Sequence, residues 1–259
     1  MKRERLWLTL WPILTLFLMI MGYKFGYSPN KHYLCSMKQM LKGLSVYIIA
    51  YLVLLMIVLG LLFAYPKVEL HLMLNSCHTE FCDTFLKYYS MLAEWPFYLL
   101  ALLPLIWKRK EFTLFYLVCE LSGAVIIQIL KHLFHAPRPI IVFENYPDLV
   151  LPLVDGVSLH HSNSFPSGHT STFFMFFTCC VVLGYWYYQR AKQDNCRSWM
   201  VFQLATLLLL ALAALGGYSR IYLSQHFLSD VCVGSMIGFI IPFVVFYFGR
   251  NRILKLKNE

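Results

Sequence analysis

The chain has 259 residues, 59% of them hydrophobic and 14% charged, with a formal net charge of +9 at pH 7. Soluble domains carry about 25% charged residues, so this composition excludes an ordinary soluble domain. The length is typical of one domain, and the placement of the basic residues, described below, argues against nucleic-acid binding.

The first apolar run, Leu6–Tyr23, follows a basic start and contains Pro12. It either lies in the cytoplasmic interface of the membrane or crosses the bilayer in one of two directions. Lys and Arg concentrate on the cytoplasmic side of membrane proteins. If six spans follow, an interfacial helix places 17 of the 22 Lys and Arg residues on the cytoplasmic side. A crossing with the N-terminus outside places 14 of them there, and a crossing with the N-terminus inside places 8 there. We therefore favour an interfacial or partly inserted helix, with the N-terminus outside as the alternative.

Six further apolar runs reach or approach the length of about 20 residues that crosses the hydrocarbon core of a bilayer. They are Leu44–Tyr65, Met91–Trp107, Phe112–Leu130, Thr170–Tyr188, Trp199–Tyr218 and Val231–Phe248. Continuous runs of this length indicate helices and exclude a β-barrel, because each segment must satisfy its own backbone groups in lipid. The sequence therefore predicts an all-α fold, a polytopic membrane helical bundle with six core transmembrane helices plus the N-terminal hydrophobic helix.

The basic residues predict the orientation of this bundle. Five of them fall on the outer side: Lys67, Lys87, Lys131, Arg138 and Arg220. The cytoplasm then holds the C-terminus and most of the positive charge. We predict three regions: an N-terminal helix and basic segment over 1–43, one membrane domain over 44–249 and a basic cytoplasmic tail over 250–259.

The eight cysteines suggest no zinc site, because no Cys and His spacing matches one. Four of them lie in or at the edge of apolar runs, where a buried thiol behaves as a small hydrophobic group: Cys119, Cys179, Cys180 and Cys232. Cys77 and Cys82 both fall in an outer loop, where an oxidising compartment permits a disulfide. Their pairing is a hypothesis.

The first polar segment that interests us is Lys131–Pro139, which closes the third of the six runs. Lys131 and Arg138 are two of the outward cations and stand at the predicted end of a helix. Taken alone, the segment is explained more simply by long basic side chains that extend into the membrane interface.

The second segment, Ser164–Thr170, immediately precedes the fourth run. Gly168 lets a backbone approach an anion closely, and a helix N-terminus offers unpaired N–H donors. Ser167 adds a hydroxyl, and His169 adds a proton donor that works near neutral pH. An ordinary helix start is the alternative interpretation.

The third segment, Ser219–Asp230, leads into the last run. His226 and Asp230 are four residues apart, so a helix places them on one face. A carboxylate that accepts from one imidazole nitrogen leaves the other nitrogen free to attack. A helix N-terminus stabilised by an acidic residue is the alternative, but histidine and aspartate are costly at the end of a membrane helix.

Together the three segments supply the groups that phosphoryl transfer requires. Three cations and aimed N–H groups can stabilise the oxygens of a transferring phosphoryl group. One histidine can attack phosphorus while the other protonates the departing oxygen. No carboxylate cluster is available to hold magnesium, so we expect no metal ion or other cofactor.

These segments resemble the signatures of the type-2 phosphatidic acid phosphatase superfamily, which also includes vanadium-dependent haloperoxidases. The signatures are Lys-x6-Arg-Pro, Pro-Ser-Gly-His and Ser-Arg-x5-His-x3-Asp, and the chain has all three in order without a departure. The resemblance covers roughly residues 44–248. It implies a membrane enzyme that hydrolyses lipid phosphates.

The resemblance also implies residue roles. His226 is expected to be the nucleophile that forms a phosphohistidine, Asp230 to orient it, and His169 to act as the general acid. The residues expected to bind the phosphate oxygens are Lys131, Arg138, Ser167, Gly168 and Arg220.

The resemblance leaves the lipid open among a polyprenyl diphosphate, phosphatidylglycerophosphate, phosphatidic acid and lipid A. It is consistent with a bacterial inner-membrane enzyme whose site faces the periplasm. A vanadate-dependent haloperoxidase and a non-catalytic lipid-binding or transport protein are the alternatives. The expected partner is the membrane lipid rather than nucleic acid, and the sequence indicates no oligomeric state.

Other histidines near the signatures receive no catalytic role. His132 and His135 occupy variable signature positions and are expected at the interface, and His160 and His161 are expected in a solvated loop. That loop, residues 140–165, is long for a connection, and long loops often act as lids. We expect it to shape the approach to the site.

Overall fold

The fold is all-helical in the part of the chain that the computed structural model describes, residues 37–94, 110–190 and 196–249. The N-terminal run Leu6–Tyr23 and the tail from residue 250 lie outside these ranges. The predicted span Met91–Trp107 overlaps them only at residues 91–94. Within the described ranges no residue forms a strand.

Five long helices have the length and hydropathy to cross a membrane. They are α2 (Ser45–Ala64), α5 (Lys110–Phe134), α7 (Gly168–Arg190), α8 (Cys196–Tyr222) and α9 (Leu228–Gly249). Each corresponds to one of the six predicted runs, and each boundary lies within a few residues of the predicted one. The prediction of a helical membrane bundle is confirmed, and the chain is an integral membrane protein.

Shorter helices occupy segments where no apolar run was long enough to predict one. They are α1 (Met37–Gly43), α3 (Lys67–Leu74), α4 (Glu80–Met91) and α6 (Pro139–Phe143). Local signals start them. Thr79 caps α4 by accepting a hydrogen bond from the Cys82 backbone N–H at 3.2 Å, and Pro139 stands at the first position of α6. The long predicted loop thus begins with a single helical turn.

Two glycines let α7 and α9 pack closely. A Cβ atom at Gly234 would lie 2.5 Å from the Ser167 carbonyl oxygen, and one at Gly238 would lie 2.3 Å from the Ser171 carbonyl oxygen. Small residues at helix contacts permit such approaches between membrane helices. The N-terminal turns of α7 and α9 are therefore held against each other.

The helix directions bring the polar segments to one end of the bundle. Helices α5 and α8 end there, and α7 and α9 begin there, so the connections 135–167 and 223–227 meet. The short helices α3 and α4 lie at the same end, since His71 of α3 contacts Ser224 and Ser90 of α4 contacts Arg220. We call this end the site end.

Candidate active site

The turn from α8 to α9 positions His226. The Arg220 carbonyl oxygen accepts hydrogen bonds from the backbone N–H groups of Gln225 at 3.0 Å and His226 at 3.1 Å. Ser224 adopts a left-handed conformation with a φ of 51°, which costs a residue other than glycine about 1–2 kcal/mol. The turn is therefore tight and needs support from its surroundings.

Buried hydrogen bonds to Ser224 supply that support. The Ser224 hydroxyl donates to the Pro152 carbonyl oxygen at 2.6 Å and accepts from the Asn75 side-chain amide at 2.8 Å. The His71 Nε2 lies 3.4 Å from the same hydroxyl. Asn75, His71 and Ser224 are each at most 2% exposed. Helix α3 and the loop around Pro152 thus hold the turn from the outer side.

His226 and Asp230 are each 1% exposed and face one another, but they are not directly hydrogen-bonded. The His226 Nδ1 and Asp230 Oδ2 atoms are 3.6 Å apart. The Ser164 hydroxyl donates to Asp230 Oδ2 at 2.5 Å and lies 3.4 Å from His226 Nδ1. The carboxylate also accepts from the Phe227 backbone N–H at 3.1 Å and the Ser229 hydroxyl at 3.1 Å.

Arg138 lies on the other side of the His226 ring, where its Nη1 is 3.5 Å from Nε2. The guanidinium donates from Nε to the Ser162 carbonyl oxygen at 3.1 Å. Its Nη1 donates to both the backbone oxygen and the side-chain oxygen of Gln225, at 2.9 and 3.2 Å. These neutral acceptors hold the guanidinium without cancelling its charge. The arginine therefore remains able to attract an anion next to Nε2.

Arg220 and Lys131 complete the cationic group. Arg220 is only 7% exposed and donates to the Ser90 hydroxyl, and its Nε has no partner among the described residues. Lys131 is half-buried and lies close enough to Arg138 and Arg220 to interact with them electrostatically. Three positive charges converge here, opposed by two carboxylates: Asp230, which interacts electrostatically with Arg138, and Glu94, which does so with Arg220. An anion would relieve the mutual repulsion of these cations.

The second signature forms the N-terminus of α7. Ser167 is fully buried and caps the helix, because its hydroxyl accepts from the Thr170 hydroxyl at 2.9 Å and the Thr170 backbone N–H at 3.4 Å. Its own N–H donates to the Asp230 carbonyl oxygen at 3.0 Å. A Cβ at Gly168 would meet only Ile127, at 3.9 Å, so protein packing does not require a glycine there. Its open side is available to an anion.

His169 follows Gly168 and is half-buried. It lies within electrostatic range of His226, Arg220 and the other two cations. The site therefore places one fully buried and one partly accessible imidazole beside the same positive charges. The same cations disfavour a positive charge on His169, so its use as a proton donor needs the negative charge of a bound phosphate to offset them.

The environment of His226 favours its neutral form. Burial lowers the pKa of the imidazole to about 3, and the Arg138 and Arg220 guanidinium groups act in the same direction against the opposing Asp230 carboxylate. A neutral imidazole keeps a lone pair for attack.

Among the described residues, no three His, Cys, Asp or Glu side chains form a group that could hold a metal ion.

The structure brings all the predicted site residues to the site end. Three further residues that take part were not predicted as site residues: Ser164 bonds Asp230, Gln225 holds Arg138 and Ser90 accepts from Arg220. Only Ser164 had a sequence signal, since it lies two residues before the Pro-Ser-Gly-His signature. The other two are ordinary polar residues whose partners depend on how distant segments pack.

The four histidines near the signatures that were given no catalytic role lie at the surface. His132, His135, His160 and His161 are all exposed, in agreement with the interfacial and loop positions expected for them. The backbone of residues 158–162 nevertheless touches the site, because the Arg138 N–H donates to the His161 carbonyl oxygen at 3.3 Å. Part of the long loop therefore lies against Arg138, one of the three cations.

The hypothesis of a Cys77–Cys82 disulfide is wrong for this structure, in which both thiols are free. Cys82 lies on the first turn of α4 and packs against an apolar cluster that contains Leu86 and Tyr222. Cys77 is exposed in the segment before that helix. The two thiols thus face different surroundings.

Comparison with known proteins gives one family match and two similar solved structures. The model of the PAP2 superfamily matches residues 112–254. The crystal structure of Aquifex aeolicus LpxE is 28% identical, with a TM-score of 0.52 over 70% of this chain and 95% of that chain. The first transmembrane PAP2 type phosphatidylglycerolphosphate phosphatase from Bacillus subtilis is 18% identical and similar in fold, with a TM-score of 0.55 over 82% of this chain and 98% of that chain. No curated protein sequence matches.

Proposed function

The chain belongs to the PAP2 superfamily and is a membrane lipid phosphatase, and we propose that it acts through a phosphohistidine on His226 without a metal ion. The proposed substrate is a lipid phosphate or diphosphate at the outer face of a bacterial inner membrane. The observation that carries the mechanism is the environment of His226: a buried imidazole with the Ser164 and Asp230 pair at Nδ1 and a guanidinium at Nε2.

In the first step, Nε2 of His226 attacks phosphorus. The N–P bond forms as the bond from phosphorus to the lipid oxygen breaks, and His169 gives its proton to that departing oxygen. Asp230 stabilises the imidazole as it becomes positive. The products are the dephosphorylated lipid and a phosphohistidine.

In the second step, water attacks the phosphohistidine. His169, now neutral, accepts the proton of the water, the N–P bond breaks, and inorganic phosphate leaves. The enzyme returns to its starting protonation state, so hydrolysis needs no other reactant.

The cations stabilise the charge on the transferring group in both steps. Arg138, Arg220 and Lys131 can contact the equatorial oxygens, and the N–H groups at the start of α7 offer further donors to them. Fixed cations and aimed N–H groups perform the electrostatic role that metal ions play in other phosphoryl-transfer enzymes.

A polyprenyl diphosphate is our first candidate substrate. The resemblance to the family also permits phosphatidylglycerophosphate, phosphatidic acid and the phosphates of lipid A. Recycling of a polyprenyl carrier is the commonest task of family members with this size, which is why we place it first.

The deciding experiment is phosphate release by the purified protein in detergent across a panel of those lipids, with EDTA present. We expect turnover of at least one lipid that EDTA leaves unchanged, and no turnover by a His226→Gln variant that elutes as a folded protein. Rapid acid-free quenching with a ³²P-labelled substrate should trap alkali-stable label on the wild type. Activity in the variant, or activity abolished by EDTA, would contradict the mechanism.

A further inference from the structure

The geometry points to Ser164 as a positioning residue of the reaction, whose hydroxyl links Asp230 to His226 and selects the imidazole tautomer that can attack. This inference rests on the proposed function, because it takes His226 as the nucleophile. No family signature includes this serine, which precedes the second signature by two residues.

The distances place the hydroxyl in the link. The Ser164 Oγ is 2.5 Å from Asp230 Oδ2 and 3.4 Å from His226 Nδ1, whereas Oδ2 and Nδ1 are 3.6 Å apart. A hydrogen bond between nitrogen and oxygen normally spans 2.7–3.2 Å. Both contacts to Nδ1 are longer than this range, but the serine hydroxyl is the nearer of the two oxygens, and the shortest contact of the carboxylate on this side is with the serine.

The proton count then fixes the tautomer. An ionised carboxylate only accepts hydrogen bonds, so the single hydroxyl proton of Ser164 points to Asp230. The serine oxygen can offer Nδ1 only a lone pair, which favours a proton on Nδ1. A neutral imidazole has one N–H, so Nε2 keeps its lone pair on the side where Arg138 Nη1 lies, 3.5 Å away.

The protein backbone fixes Ser164 in this place. Its N–H donates to the Ala136 carbonyl oxygen at 2.9 Å, which ties it to the segment between Lys131 and Arg138. Asn163, just before it, has a left-handed φ of 56° that turns the chain inward. The side chain is 1% exposed, so water does not readily replace the hydroxyl. Ser164 thus connects the first and third signatures through the second segment.

Removal of the hydroxyl should affect the chemical step rather than substrate binding. In Ser164→Ala, the Asp230 carboxylate keeps the Phe227 N–H and the Ser229 hydroxyl but loses its shortest partner. The Nδ1–H then loses the hydroxyl oxygen and is left 3.6 Å from the carboxylate, so the attacking tautomer is held less firmly. Hydrogen bonds to charged groups have an effect equivalent to roughly a 10- to 100-fold change in rate. We expect kcat to fall by that factor and KM to change less than threefold.

The pH profile distinguishes this role from a structural one. Without the hydroxyl, Nδ1 faces the carboxylate directly, and such a pair favours the protonated imidazole. The acid limb of kcat/KM should therefore move to higher pH in Ser164→Ala. A serine that only fills space would leave the limb where it is.

The test compares Ser164→Ala and Ser164→Thr with Ser122→Ala. Ser122 loses the same hydroxyl, but that hydroxyl donates only to Val118 within α5. We expect Ser122→Ala to match the wild type, and Ser164→Thr, which retains a hydroxyl, to recover at least part of kcat and the wild-type acid limb. Melting temperature in detergent is measured for every variant.

Two results would overturn the inference. One is a kcat for Ser164→Ala within twofold of that for Ser122→Ala. The other is a loss of activity that accompanies a lower melting temperature, with no shift of the acid limb and no recovery in Ser164→Thr. The His226→Gln variant separates these results from failure of the proposed mechanism. It is expected to be inactive, and activity in it would show that His226 is not the nucleophile.

Discussion

His226 is buried at 1% exposure beside two guanidinium groups, and this environment has a consequence for the pH dependence of the reaction. A histidine in water titrates near 6.5, whereas burial and the neighbouring cations lower the pKa of His226 to about 3. In the proposed mechanism the imidazole attacks in its neutral form, which predominates above its pKa. The nucleophile therefore stays competent when an exposed histidine would already be protonated.

We predict that kcat/KM of the free enzyme shows no loss assignable to His226 between pH 7 and 5. The acid limb due to the nucleophile should begin below that range, because kcat/KM reports the free enzyme. The pH profile is measured with both a lipid monophosphate and a lipid diphosphate. An acid limb that comes from ionisation of the substrate should differ in pH between the two substrates. A limb near pH 6.5 shared by both substrates would mean that the imidazole is not held in the buried, cationic environment seen here.

At this scale, the sequence predicted the charged and nucleophilic groups but not the hydroxyls and amides that hold them. Lys131, Arg138 and Arg220 lie in polar segments that follow long apolar runs, where a charge stands out. Gln225 and Ser90 do not stand out, because polar residues of these types are common in connections and their roles depend on contacts across the bundle. Such contacts leave no local pattern in the chain.

The pairing of α7 with α9 is the contact between elements on which the site depends most directly. Ser167 caps helix α7, which carries His169, and α9 carries Asp230. The Ser167 N–H donates to the Asp230 carbonyl oxygen at 3.0 Å, and Gly234 lies one turn further along α9 against the Ser167 backbone. The distance between the two helices thus sets the distance between the second and third signatures.

We predict that Gly234→Ala lowers both stability and activity. The new Cβ would lie 2.5 Å from the Ser167 carbonyl oxygen, and backbone atoms cannot move aside as a flexible side chain can. Overpacking of this kind costs about 1–3 kcal/mol. We expect a lower melting temperature in detergent and a fall in kcat of at least tenfold.

The matched control is Gly60→Ala in α2, where an added Cβ meets no atom within 4 Å. It should leave the melting temperature and kcat unchanged, or raise stability slightly, because alanine favours a helix more than glycine does. Equal behaviour of the two variants would show that α7 and α9 can separate without cost to the site.

The elements differ in how far the sequence could predict them. The long spans were predictable because a bilayer requires a long apolar run, and the five described spans match their runs closely. Helices α3 and α4 could not be predicted in this way. They have eight and twelve residues of mixed polarity and are too short to cross a bilayer. Tertiary contacts decide their positions, as the bond of Asn75 to Ser224 illustrates.

On the scale of the whole molecule, the two ends of the bundle differ in the basic residues they carry. The site end has the five cations predicted to face outward, with Lys67 over the Phe227 ring at 4.0 Å and Lys87 bonded to the Asp155 carbonyl oxygen at 2.8 Å. The opposite end includes α1, which contains Lys38 and Lys42 and is bonded to the C-terminal part of α7 through Tyr185. The other 17 Lys and Arg residues of the sequence are predicted on the same side as α1, so the positive-inside tendency predicts that the site end faces outward.

Two native cysteines can test this orientation, because they are exposed at opposite ends. Cys77 lies at the site end, next to His78, whose ring stacks on Tyr222 with a centroid distance of 4.3 Å. Cys196 begins α8, whose 27 residues end at the site, so the two thiols are separated by roughly 40 Å along the helix axis.

We predict that a membrane-impermeant maleimide labels Cys77 but not Cys196 in intact bacterial cells. Each thiol is tested in a variant in which the other seven cysteines are replaced by alanine, and phosphatase activity confirms that each variant is folded. Permeabilised cells serve as the control, and both thiols should react there because both are exposed. Labelling of Cys196 alone in intact cells would place the site in the cytoplasm. In that case the basic residues of the site end would bind phosphate and would carry no information about orientation. The proposal that the substrate lies at the outer face of the membrane would then be wrong.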